Sequence, residues 1–177
     1  GRSPLCGRWL PCRCSGWSQP SLAWHPETAH IWTDSGGGEW ALGDRSGQMR
    51  LLGRCACSDR EYGVEIMASG EAERGVVVVL SERTYVLRRT EPQGERQEFY
   101  TRCDEAADAD FAVPYTGLWV PACASRWWQP GVGRFLRCVH QWSGRELVAS
   151  GLLGALRYKV IRKCTDEEGV FFVQASW

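Results

Sequence analysis

Residues 62–89 read YGVEIMASGEAERGVVVVLSERTYVLRR, and the rhythm of this stretch sets the fold class. Tyr62, Val64 and Ile66 alternate with Gly63, Glu65 and Met67, the period-two pattern of a half-buried strand. Gly75–Leu80 has no alternation, as expected for a central strand covered on both faces. Between and after these runs, Ser69-Gly70-Glu71 and Leu80-Ser81-Glu82-Arg83 supply turn chemistry. Outward from here, strands are predicted at Glu39–Leu42, Gln48–Ala56, Tyr62–Ala68, Gly75–Leu80, Thr84–Arg89 and Gln97–Cys103, an antiparallel meander. A terminal hairpin is predicted from Arg157–Cys164, a turn at Thr165–Gly169 and Val170–Val173.

Two helices are expected to pack on this sheet. Asp104–Ala112 carries acids in its first turn, and Glu146–Leu156 places Leu147, Val148, Leu152 and Ala155 near helical spacing, weakened by Gly151 and Gly154. The expected class is therefore α+β, a mainly antiparallel sheet with one or two packing helices and an aromatic-rich extended N-terminal segment. Residues 1–40 form that segment, with Trp9, Trp17, Trp24, Trp32 and Trp40 recurring about every eight residues among prolines and glycines. Residues 41–177 form the α+β domain, and the whole is read as a single folding unit.

Composition bounds the function. The 177 residues contain 44% apolar side chains and ten Trp, which argues for a packed core. No apolar run approaches the roughly 20 residues of a membrane span, so no membrane partner is expected. The opening GRSPLCGRWL lacks the layout of a signal peptide and reads as a piece of a longer chain. Nineteen of the 21 basic side chains are Arg, with only Lys159 and Lys163 as Lys, and Asn is absent, which removes any N-glycosylation acceptor. GC-rich coding accounts for this skew, while guanidinium groups still suit bidentate phosphate contact. Net charge is zero but segregated: +2 over residues 1–60 (seven Arg, five acids), −6 over 61–114 (six Arg, twelve acids) and +4 over 115–177 (eight bases, four acids). Such a chain can present a basic face despite its neutral total.

The basic residues of the last third are the candidate site. In the strand Arg157–Lys163, Arg157, Lys159 and Lys163 are expected on one face, about 6.6 Å apart per two residues, close to successive phosphate spacing. Tyr158 and Val160 would face the core and Arg162 would sit at its edge. Arg126, Arg134, Arg137 and Arg145 lie nearby in sequence. A solvated edge strand whose cations deter aggregation competes with this reading. Arg83, Arg88, Arg89, Arg96 and Arg102, inside the acidic third, are expected in ion pairs with Glu82, Glu91, Glu95 and Glu98.

Nine cysteines, an odd number, with no sequon favour reduced, mostly buried thiols. The C-x-C pairs Cys12/Cys14 and Cys55/Cys57, with His25 and His30 as spare ligands, give a weak zinc signal, since familiar zinc sites space their cysteines by two or more residues. No catalytic set, P-loop or dinucleotide fingerprint is present, and the reading is non-enzymatic and free of cofactors; adjacency of Cys138 and His140 alone does not make a nucleophile and base. Trp127-Trp128 is read as core or interface.

The segments SPLCGRWLPCRCSGWSQP (3–20), GRCACSDREYGVEI (53–66) and RGVVVVLSERTYVL (74–87) resemble the amino-terminal domain of cytomegalovirus double-stranded-RNA-binding antagonists of the host kinase PKR. These belong to the betaherpesvirus immune-evasion and tegument family of the Syd/Knr4-type (SUKH) superfamily. The resemblance implies sequestration of duplex RNA, so that PKR stays inactive and translation continues. It also implies residence in the host cytoplasm, the host nucleus or the virion tegument, and contact with PKR through another region of the parent protein. A homodimer is compatible with it. Two further readings stand beside it: a Trp-rich protein-interaction module without RNA binding, and an oxidised ectodomain.

Overall fold

The computed structural model describes residues 3–16, 25–91, 94–103, 111–119, 139–151 and 154–176. Eight strands, β1 (Gly7–Gly16), β2 (Ala29–Trp32), β3 (Gly37–Leu42), β4 (Arg45–Arg54), β5 (Glu61–Ala68), β6 (Glu71–Val79), β7 (Thr84–Glu91) and β8 (Gly94–Arg102), close into an antiparallel barrel, with β8 returning to pair with β1. Five more, β9 (Gly117–Trp119), β10 (Val139–Ser143), β11 (Glu146–Gly151), β12 (Gly154–Asp166) and β13 (Gly169–Ser176), form a second antiparallel sheet in the order β13-β12-β11-β10-β9.

The protein is thus all-β among the described residues, and the α+β expectation is corrected. Glu146–Leu156 is not a helix. It is most of the β11–β12 hairpin, paired from Glu146 opposite Lys159 to Gly151 opposite Gly154. Leu147 and Ala149 are both buried, which is strand alternation, and Gly154 takes φ +128°, a conformation glycine adopts without strain. The other expected helix, Asp104–Ala112, lies outside the described residues except for Phe111 and Ala112, which are not helical.

An eight-stranded barrel leaves an interior that side chains can fill. Here the filling is Trp9, Trp32, Met49, Val64, Ile66, Val77, Tyr85, Leu87 and Tyr100, with Leu5. The Trp-rich opening therefore supplies barrel strands, and Trp9 and Trp32 point into the lumen. The hairpin between β5 and β6 turns on Ser69 (φ +52°) and Gly70 (φ +83°), the positive-φ pair that matches the right-handed twist of the flanking strands.

The valine run explains its own lack of alternation. Val77 and Val79 pack in the lumen cluster, while Val78 faces a second cluster outside the barrel wall. That cluster joins Cys12, Val86 and Phe99 of the barrel to Cys164 and Val173 of the sheet. A disulfide between Cys12 and Cys164, Cα atoms 5.8 Å apart, closes the junction. This overturns the expectation of reduced thiols for these two residues. Pro11, Cys12 and Arg13 form a bulge in β1, a place where a strand tolerates proline.

Candidate nucleic-acid interface

Directly paired residues of neighbouring strands share a face, and successive residues alternate. On β12, Lys159 pairs with Ala175 whereas Lys163 pairs with Phe172. Because 175 and 172 differ in parity, Lys159 and Lys163 lie on opposite faces. The cause is a register shift between Val160 and Arg162, which inserts one residue into β12. The expected single row of Arg157, Lys159 and Lys163 is therefore corrected: Arg157 and Lys159 share one face and Lys163 occupies the other, all three exposed.

Arg162 is buried and not presented to a ligand. It is 7% exposed and is wedged where sheet meets barrel. Its Nη2 donates to the Pro11 carbonyl and, at 3.0 Å, to the Pro26 carbonyl. Next to it, Arg13 lies 3.5 Å above the Phe99 ring and binds Asp166 at 2.6 Å. Arg145, in the turn before β11, donates from Nη2 to the Phe111 carbonyl at 2.8 Å and sits 3.7 Å over the Phe111 ring. Its guanidinium fastens a loop to the sheet. Arg126, Arg134 and Arg137 lie outside the described residues, as do Trp127, Trp128 and Cys138.

Lys163 has different company. Paired with Phe172, it stands on the sheet face turned away from the barrel-packed Cys164 and Val173. It borders the rim of a cleft of about 450 Å³ between barrel and sheet, together with Arg83, Arg102, Ser81, Thr84, Thr101, Thr165, Asp166 and Glu167. Arg102 holds the barrel end closed: it donates to the carbonyls of Cys6 (2.6 Å), Glu82 (3.0 Å) and Pro4 (3.3 Å) and lies 4.5 Å over Trp9. Its charge remains beside the cleft. Of the two acids there, Asp166 is engaged by Arg13. Arg83 follows the Ser81 turn, where the Ser81 hydroxyl accepts hydrogen bonds from the amides of Arg83 and Thr84. Three cations, the half-buried Ser81 and the exposed Thr165 thus border one concavity beside Asp166 and Glu167, while Thr84 and Thr101 are buried in its wall. Cations with neighbouring hydroxyls suit phosphate and ribose oxygens.

Several arginines elsewhere are paired with acids on other strands. Arg88 binds Glu61 (2.9 Å), Arg89 binds Glu73 (2.7 Å) and Arg50 binds Glu65 (2.8 Å), all across strands. Of the expected acids, Glu98 alone is ion-paired among the described residues, with Arg96 (2.7 Å) and Arg89 (3.6 Å). The Arg96–Glu98 pair is buried in the lumen, where Tyr100 donates to Glu98 at 3.1 Å and His30 Nδ1 meets the Tyr85 hydroxyl at 2.5 Å. Burial, with Arg89 adding to it, lowers the His30 pKa from 6.5 to about 3, so the imidazole is neutral. Burial pushes the Glu98 carboxyl upward against the pull of Arg89 and Arg96.

The weak zinc set of Cys12, Cys14, Cys55 and Cys57 is corrected as well. Cys12 is consumed by the disulfide with Cys164. Cys14 lies on β1, opposite Glu98 of β8. Cys55 and the exposed Cys57 sit in the turn between β4 and β5, and β4 is three strands round the barrel from β1. His30, a spare ligand in that reading, is committed to Tyr85 in the lumen. The two C-x-C pairs therefore do not converge on one tetrahedral ion. Among the described residues no three His, Cys, Asp or Glu side chains gather to hold a metal.

Sequence reasoning missed the part played by Arg83 and Arg102, because the cleft joins segments 60–80 residues apart. It also missed the lumen network. The available signal was the alternation Arg96, Glu98, Tyr100 on β8, which puts all three on one face.

Among the described residues the molecule is all-β, a closed eight-stranded barrel carrying a five-stranded sheet on its outer wall. Its sequence matches no family model and no curated protein, and no solved structure matches its fold.

Proposed function

We propose that this protein binds double-stranded RNA without enzymatic chemistry, and that sequestering the duplex keeps the host kinase PKR inactive. The observation that carries this reading is the cleft between barrel and sheet, bordered by Arg83, Arg102 and Lys163 together with Ser81 and Thr165. Duplex RNA is recognised mostly by its shape, through phosphates and 2′-hydroxyls in the shallow minor groove. Cations with neighbouring hydroxyls answer that chemistry and do not read base sequence.

Because Lys163 and the Arg157/Lys159 pair occupy opposite faces, one duplex does not engage both. The reading assigns phosphate contact to Lys163 and Arg83. The test is a gel shift with duplex RNA. Arg83→Glu combined with Lys163→Glu should weaken binding at least about tenfold, since each lost phosphate contact also lowers the salt slope by about 1. Arg157→Glu with Lys159→Glu should change it only about twofold to threefold through the general field. The reverse order of effects would reject the cleft.

A second reading, the Trp-rich interaction module, rests on two exposed apolar side chains at the ends of one cross-strand row. Trp119, His140, Ala149 and Leu156 are cross-strand neighbours on one face, with Trp119 51% and Leu156 63% exposed and Ala149 buried between them. Trp119→Ser with Leu156→Ser should leave RNA retention intact under the first reading. Loss of self-association without loss of RNA binding would assign the row to protein contact.

A further inference from the structure

The barrel has a mouth that the RNA reading does not use. At the end where β2 and β3 meet β5, β6 and β7 lies a cavity of about 300 Å³, bordered by Trp40, Leu42, Ile66 and Ala68 on its apolar side and by Thr28, His30, Arg45, Glu73 and Arg89 among its polar residues. Trp40 is fixed there: its indole N–H donates to the Met67 carbonyl at 2.9 Å. Gly47 makes room for it, since a Cβ at that position would collide with the Met67 carbonyl oxygen and the Trp40 ring.

Arg89 reaches the floor of this cavity from β7. Its side chain is 12% exposed, and on the neighbouring strand Arg96 stands directly opposite, a like-charge pair inside the barrel. Glu98 lies between them, 2.7 Å from Arg96 but 3.6 Å from Arg89 Nε. That Nε is buried and hydrogen-bonds nothing. Arg89 Nη1 donates to Glu73 at 2.7 Å, a carboxylate 52% exposed at the rim that an incoming carboxylate would have to displace, and Glu71 also borders the mouth. His30 adds no charge, being neutral. A buried guanidinium with an unsatisfied donor, facing a cavity with one apolar wall, is an acceptor site for an anion that carries an apolar body.

We propose that the barrel mouth binds a small amphipathic carboxylate, with the carboxylate on Arg89 and the apolar part against Trp40, Leu42 and Ile66. The volume is at the lower end for ligand pockets, which favours a compact molecule over a long-chain lipid. Eight-stranded barrels have room for one small ligand where side chains leave space. This site is separate from the cleft and stands or falls independently of RNA binding.

The experiment is isothermal titration of the whole chain with octanoate, octanol and octylamine. Octanoate should bind at least about tenfold more tightly than octanol, the margin of a charge-assisted hydrogen bond, and octylamine should not bind. Arg89→Met should reduce octanoate to the affinity of octanol. Should that variant fail to fold with Glu98 left unpaired, Ala68→Trp gives the same information by filling the mouth without touching the ion network, and should abolish octanoate binding with the circular dichroism of the barrel retained. Equal affinity for octanoate and octanol, absence of octanoate binding at millimolar concentration, or full octanoate affinity in a folded Ala68→Trp variant would each overturn the proposal.

Discussion

Arg162 and Lys163 are adjacent in sequence, yet their environments call for opposite consequences when they are mutated. Arg162→Ala removes a buried guanidinium that donates to the carbonyls of Pro11 and Pro26, one in a barrel strand and one in the loop before β2. Each carbonyl left without a partner costs about 1–3 kcal/mol, so a loss of about 3 kcal/mol is a conservative sum. For a chain of this size that lowers Tm by roughly 6–12 °C. Lys163→Glu alters an exposed side chain, and such changes stay within about 0.5 kcal/mol, or roughly 2 °C. The order reverses for RNA. At about 0.1 M salt, where charges are screened over about 10 Å, Lys163→Glu should weaken duplex binding roughly tenfold and reduce the slope of log affinity against log salt by about 1. Thermal melts and gel shifts on both variants decide the matter. An Arg162→Ala protein that melts with wild type, or a Lys163→Glu protein that binds with wild-type affinity, would refute the assignment of the two side chains.

Other outcomes follow from the packing. Reducing the Cys12–Cys164 bridge, which closes a sequence separation of 152 residues, should lower stability by about 4 kcal/mol in a denaturant titration run with and without reductant; an unchanged midpoint would contradict the bridge. Gly47→Ala should cost about 1–3 kcal/mol, because its Cβ collides with the Met67 carbonyl and the Trp40 ring, and a wild-type melt would show that Trp40 is not held there. His30 is neutral when folded, with a pKa of about 3 against 6.5 unfolded. The unfolded state therefore binds the extra proton between those values, and stability should fall as pH drops from 6.5 toward 3, by up to about 5 kcal/mol. Glu98, pushed upward by burial, acts in the opposite direction. It is present in both proteins when wild type is compared with His30→Gln, so a shallower acid limb in the variant isolates the histidine, and identical limbs would refute its role.

The strands of the barrel were legible wherever side chains alternate against a single core. Val64 and Ile66 declare β5 because both enter the lumen. The valine run of β6 is legible for the opposite reason, having a lumen on one side and a sheet on the other. Glu146–Leu156 misled because Leu147, Val148, Leu152 and Ala155 satisfy helical spacing nearly as well as strand spacing. The glycines at 151 and 154, counted as weak points of a helix, are the ends of two strands. Closure of the barrel was not legible, since it depends on β8 meeting β1 some 90 residues away. At the candidate site the basic character of β12 was visible, but its faces were not. One inserted residue at Ile161 moves Lys163 to the other side, and no composition or periodicity marks such a bulge. The cleft itself needs Ser81, Arg83 and Thr101 from the barrel next to Lys163 from the sheet, a meeting set by the packing of Val86 and Phe99 on Val173.

The central claim is that this surface grips duplex RNA by its backbone. A gel-shift competition with duplex RNA, single-stranded RNA of the same sequence and duplex DNA, repeated across a salt series, tests it most directly. The account expects retention of the RNA duplex whatever its sequence, affinity falling steeply with salt, and poor competition by the other two nucleic acids. Equal binding of all three, or no retention of duplex RNA at low salt, would contradict it.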